Sequence, residues 1–302
     1  MSTVERRHLG VLFLAAAVLA VLVPAGVQPR RVAGSPQALS APDPPAVGDC
    51  VLDPVNPSSW EKGPYVYPKL QFTVCDGFRF GEVVAVLTDP EGAAGTGHSG
   101  SVSDPHETCM IEGESYVGGV PQFQYWSPRI YSFSAPFSPS PLQQAVGQHW
   151  LACAMFIPAN DAQTAVVNYD GSLRDALFTG NEREVLGFCG SGRDWTTGYV
   201  PVCSSPHEFQ VLASGIVGGG DISSDELQRT CVQVAQRLTA LPDVTAAGAL
   251  AVEVRSIEHT GASFDSAHGP VEATLGCGID TVGSRRLAGS LVALGDLPIP
   301  WA

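Results

Sequence analysis

The sequence predicts an α+β fold, with two related disulfide-bonded modules after an N-terminal membrane segment, each module a small, mostly antiparallel sheet with one main helix. Three observations point there. Eight cysteines fall in two sets of four, Cys50, Cys75, Cys109, Cys153 and Cys189, Cys203, Cys231, Cys277, spaced by 25, 34 and 44 and then by 14, 28 and 46 residues. The fourth cysteine of each set is followed by Gly-Ser-Leu, at 171–173 and at 289–291. The second cysteine of each set ends one apolar run and precedes another across a short polar stretch, which reads as strand, tight loop, strand. The same cysteine order with the same tail in the same slot indicates one unit used twice.

Each element has its own warrant. Arg6 and Arg7 precede an apolar run from Leu9 to Val27. Residues 1–27 are therefore a signal anchor, with the body outside the membrane, or a signal peptide, in which case the chain is secreted. Residues 28–46 are rich in Pro, Ala and Ser and read as a tether. The first module spans 47–175 and the second 186–295. In the first, Gly48 to Leu52, Gln71 to Val74, Glu82 to Thr88 and Gln148 to Phe156 read as strands. Asp104-Pro105-His106-Glu107 reads as a helix start that carries Cys109. The stretch from Tyr116 to Pro141 has no assignable pattern. In the second, Ser223 and Glu226 form a capping box ahead of Leu227, Cys231, Val234 and Leu238, an apolar stripe that turns the cysteine inward. Leu250 to Arg255, Glu272 to Cys277 and Leu287 to Leu294 read as strands.

Confining pairs to their own module leaves three choices in each. The favoured set is Cys50–Cys75, Cys109–Cys153, Cys189–Cys203 and Cys231–Cys277. The first bridge of each module joins neighbouring strands, and the second joins helix to sheet. Closing the Cys189–Cys203 loop contributes roughly 3 kcal/mol by loop entropy. Such a framework belongs in an oxidising compartment. No closely spaced Cys or Cys/His pair is present, so the sequence predicts no metal and no cofactor.

A net charge of −14 argues against nucleic acid and anionic lipid surfaces as partners. No Walker loop, dinucleotide fingerprint or His-Glu-x-x-His occurs. Gly97-His98-Ser99-Gly100-Ser101 lacks the spacing of a nucleophile elbow. Asp225 and Glu226 are accounted for by helix capping and the helix dipole. No catalytic residue is predicted.

With Gly48-Asp49-Cys50, the Cys-x-x-Pro-His element at Cys203 to His207 and the Gly-Ser-Leu ends in hand, the chain resembles the actinobacterial septum-formation domain family. The resemblance covers about 47–175 and 186–295, as two divergent copies. The family pattern continues to a glutamate, Cys-x-x-Pro-His-x-x-Glu. The first module keeps Glu82 but has Phe78-Arg79 in place of Pro-His. The second keeps Pro206-His207 but has Gln210 in place of the glutamate. The resemblance implies an envelope location and a link to division.

The reading is thus a non-enzymatic, extracytoplasmic binding or scaffold protein, whose partner is an envelope or division protein or a wall component. The loops Asp76 to Phe80 and Ser204 to Phe209 are the expected contact surfaces, with Arg79, Glu82, Pro206 and His207 as candidate binding residues. Trp126, in an aromatic stretch with Phe123 and Tyr125, is a further candidate. For His207 the competing reading is a histidine that fixes its loop, and for Trp126 it is core packing. The rival functions are an envelope hydrolase with a site between the modules and an inert spacer.

Overall fold

Cys50 pairs with Thr73 on one side and with Glu82 on the other. The computed structural model describes residues 40–55, 71–88, 104–118, 125–159, 165–192, 195, 199–200, 202–217, 222–257 and 273–302. In the first half these form β1 (Cys50–Val51), β2 (Phe72–Thr73), β3 (Gly81–Leu87), α1 (Pro105–Tyr116), β4 (Ser127–Pro128), β5 (Phe133–Phe137), α2 (Pro141–Ala145) and β6 (Leu151–Phe156). Two one-turn helices follow, α3 (Ala176–Thr179) and α4 (Arg183–Leu186). The second half has β7 (Phe188–Gly190), β8 (Tyr199–Val200), β9 (Phe209–Val217), α5 (Ser224–Thr239), β10 (Leu250–Ser256) and β11 (Ala273–Thr281). The fold is α+β with antiparallel sheets and four disulfides. The apolar run Leu9 to Val27 lies outside the described residues. Among the described residues no helix is long and apolar enough to cross a membrane.

The two sheets have the same order from edge to edge, β2-β1-β3-β6-β5 and β8-β7-β9-β11-β10. Every neighbouring pair is antiparallel. Register agrees as well, because Cys50 lies opposite Glu82 and Cys189 opposite Gln210. Each long central strand carries one extra residue, Val84 against β6 and Leu212 against β11. A bulge at the same place in both sheets increases the local twist of the strand.

The four bridges are Cys50–Cys75, Cys109–Cys153, Cys189–Cys203 and Cys231–Cys277, the set favoured from sequence. Cys109 on α1 meets β6, and Cys231 on α5 meets β11. Both helices begin as their sequences imply. Asp104 accepts from His106 N at 3.0 Å, with Pro105 following, and Ser223 Oγ accepts from Glu226 N at 3.2 Å.

One core runs through both halves. Val84, Cys109, Met155 and Leu173 of the first cluster with Leu212, Cys231, Leu238 and Leu291 of the second. Alternate strand residues face the other way: Val83, Ala154 and Phe156 join one satellite cluster, and Phe209 and Val211 join another. Residues 42–302 form one compact unit. The expected boundary between 47–175 and 186–295 is therefore not a packing boundary, because β4 leaves the first half and pairs with β9 in the second. There the Cβ of any residue but glycine at Gly215 would lie 2.2 Å from Tyr125 O. Trp126 is buried beside it, and its indole donates to Thr230 Oγ1 at 3.0 Å.

Two elements differ from expectation. Leu287 to Leu294 is not a strand; only Leu287 makes bridges, to His207 and Trp301, and the rest is turn and irregular backbone. Its residues Leu287, Leu291, Val292 and Leu294 are buried in the same core cluster as Leu238 of α5, and Ala293 N donates to Leu238 O at 2.7 Å. The unassigned stretch holds β4, β5 and the start of α2, which has a full capping box at Ser140 and Gln143.

Candidate functional site

Glu82 and Gln210 occupy matching places, and each holds its half's Gly-Ser-Leu tail. Glu82 Oε2 accepts from Leu173 N at 2.8 Å, while Oε1 accepts from the hydroxyls of Ser172 and Tyr116, both at 2.7 Å. Gln210 Oε1 accepts from Leu291 N at 2.7 Å, and its amide donates to Ser290 Oγ at 2.9 Å. Both side chains are buried. A carboxylate or amide suits this place because each tail turns a buried backbone N–H inward, that of Leu173 or Leu291.

Arg79 and His207 also match, each four residues after the second cysteine of its set. Both pair by two backbone hydrogen bonds with the segment that leads into the tail, Arg79 with Tyr169 and His207 with Leu287. The Arg79 guanidinium donates to Asp170 O at 2.8 Å and lies 3.6 Å from Glu82. His207 Nδ1 lies 2.8 Å from Ser205 O. Burial lowers the proton affinity of His207, and it raises the Tyr169 hydroxyl well above the usual tyrosine range. The first half thus buries an ion pair where the second buries a neutral pair.

Four of the five candidate binding residues are therefore interior. Arg79, Glu82, Trp126 and His207 are 6%, 1%, 2% and 0% exposed. Their side chains touch groups of their own chain, so they position loops and do not themselves present a surface. Of the five, only Pro206 is exposed.

What those anchors hold up is open to solvent. Val74 and Phe78 flank the Cys50–Cys75 bridge and are 81% and 67% exposed. They cannot relax inward, because Cys75 ties one side of the loop to β1 and Arg79 ties the other to Tyr169. Phe78 lies in the loop Asp76 to Phe80 expected from sequence as a contact surface, although the candidate binding residue there is Arg79. The apolar side chain of Phe78 between Gly77 and a charged residue was the available signal. The corresponding loop of the second half presents Ser204, Ser205 and Pro206, and is polar.

Beside Val74 lies a groove of about 710 Å³, with Phe72, Trp150, Pro44, Asp43 and Gln143 in its lining. Its far wall is strapped down: Gln143 Nε2 and Gln148 Nε2 donate to Pro42 O at 3.2 and 2.9 Å. The Trp150 indole donates to Gln148 at 3.1 Å. A second cleft, of about 420 Å³, lies where the halves meet, with His106, Glu114, Ser127, Arg129 and Phe188 in its lining. The Arg129 guanidinium lies 4.8 Å over the Phe188 ring, and partial desolvation raises the proton affinity of the Glu114 carboxyl, although the residue is exposed.

Compared with family models, with curated proteins and with solved structures, the chain matches none of them.

Proposed function

We propose that this chain is a non-enzymatic binding or scaffold protein of the extracytoplasmic envelope, built from two divergent copies of one module and held at the membrane by its N-terminal segment. The equal strand order, register, bulge and bridges of the two sheets support the duplication. Four disulfides support an oxidising location. The resemblance to septum-formation domains suggests a partner in division or wall assembly.

One observation carries the binding role: Val74 and Phe78 stand out on a loop pinned at both ends, next to a groove large enough for an extended segment. Apolar side chains on a rigid support lose little conformational entropy on contact, which makes them effective anchors for a partner. The occupant is an extended, largely apolar segment of another envelope protein. A photo-crosslinking residue replacing Phe78 in living cells will yield a discrete protein adduct, and Val74→Ser in the same chain will abolish it. The same crosslinker at Ser205 will give none. No adduct at position 78, or equal adducts at both positions, would refute the assignment.

The cleft between the halves favours a second reading, the hydrolase. Glu114, with its raised proton affinity, would be the acid, and His106 and Ser127 lie in the same lining. Release of soluble fragments from purified wall, lost in Glu114→Gln, would establish it. Absence of turnover over a range of pH would remove it.

A further inference from the structure

We propose that Cys189, Cys203 and His207 form a latent site for Zn²⁺, closed by the Cys189–Cys203 bridge and opened when a dithiol reduces it. The two sulfurs and a ring nitrogen of His207 all lie within 4.8 Å of one another, and all three residues are 0% exposed. In the bridged state both sulfurs are bonded to each other, so the site holds nothing. Reduction frees both sulfurs to ligate.

The histidine is already set for a metal. Its backbone is fixed by the two hydrogen bonds with Leu287, at 2.9 and 2.8 Å. Its Nδ1 lies 2.8 Å from Ser205 O, so Nδ1 carries the hydrogen and the lone pair is on Nε2. That nitrogen is buried with no hydrogen-bond partner. Metal-bound histidines share this arrangement, in which a backbone carbonyl holds one ring nitrogen and leaves the other free to ligate. A buried acceptor without a partner is uncommon and calls for a reason. Gly187 leaves the space that Cys203 Sγ fills: a Cβ there would fall 1.7 Å from that sulfur.

The step balances. A dithiol gives two electrons and two protons to the bridge, becomes a disulfide itself, and leaves two cysteine thiols. Zn²⁺ then displaces both thiol protons to solvent. One divalent cation with two thiolates and a neutral imidazole carries no net charge, which suits a buried site. Three protein ligands leave the fourth tetrahedral position for water. The first half supplies an internal control, because Arg79 stands where His207 does and a guanidinium cannot ligate.

The test uses the whole purified chain, reduced with a dithiol under argon, freed of the dithiol, and titrated with Co²⁺ and then Zn²⁺. One equivalent of Co²⁺ will give the visible absorption of a tetrahedral thiolate complex, and Zn²⁺ will displace it. His207→Gln will weaken binding by about tenfold or more. In the unaltered chain, Zn²⁺ will shield Cys189 and Cys203 from alkylation but not Cys50 and Cys75. This arm decides the matter even if the variant does not fold. No tetrahedral spectrum, undiminished affinity in the variant, or equal shielding of both pairs would overturn the site.

Discussion

Arg79 and Glu82 bring a positive and a negative charge into the interior, whereas Gln210 brings none and burial holds His207 toward its neutral form. Each combination is self-consistent, and mixtures are not. Glu82→Ala leaves Arg79 without its counter-charge and three donors without an acceptor. It will cost about 3–5 kcal/mol in urea denaturation. Replacing both residues at once, Arg79→His with Glu82→Gln, copies the second half into the first and will recover most of that loss. Equal instability of the double variant would contradict the matching. A different titration concerns Asp280. Burial raises its pKa to about 6, against the pull of Arg255 and the hydrogen bond from the Trp195 indole. A carboxyl whose folded pKa lies above its unfolded value contributes stability below the unfolded value, near 3.8, and loses it as pH rises through about 6. Asp280→Asn will remove this dependence, so the variant gains relative to the parent between about pH 4 and 7. Denaturation midpoints measured across that range would show it.

Among elements, the bridges and the capped helices were legible in the sequence. Cysteine order constrains pairing strongly, and an N-cap followed by an apolar stripe is a local signal that packing reinforces. Ser223→Ala will cost about 1 kcal/mol through loss of the α5 cap, read by thermal unfolding. Removing Cys231–Cys277, which closes a span of 46 residues, will cost about 4 kcal/mol. The Cys189–Cys203 bridge, with a span of 14, will cost about 3 kcal/mol. What was not legible depends on tertiary contacts. Leu287 to Leu294 is apolar enough to read as a strand, yet its backbone goes to His207, Gln210 and Leu238. β5 hides behind Pro136, tolerated because β5 is an edge strand. The matching of Arg79 to His207 and of Glu82 to Gln210 was visible as a motif. Their burial was not, because a charged residue in a turn ordinarily faces water.

In the whole molecule, the two sheets are joined by more than a connecting chain. β4 adds to the second sheet, Tyr125 and Trp126 bond to Glu226 and Thr230 on α5, and Arg129 N donates to Leu212 O at 2.8 Å. One apolar cluster takes residues from both halves. Trp126→Ala opens a cavity at that junction and will cost about 3–5 kcal/mol. Because the core is shared, that loss lowers the stability of both halves together, and so does any damage to one sheet. Differential scanning calorimetry of the purified, fully bridged chain reads this coupling directly. A single transition with a calorimetric enthalpy equal to the van't Hoff enthalpy is the predicted result. Two resolved transitions, one for each half, would contradict it.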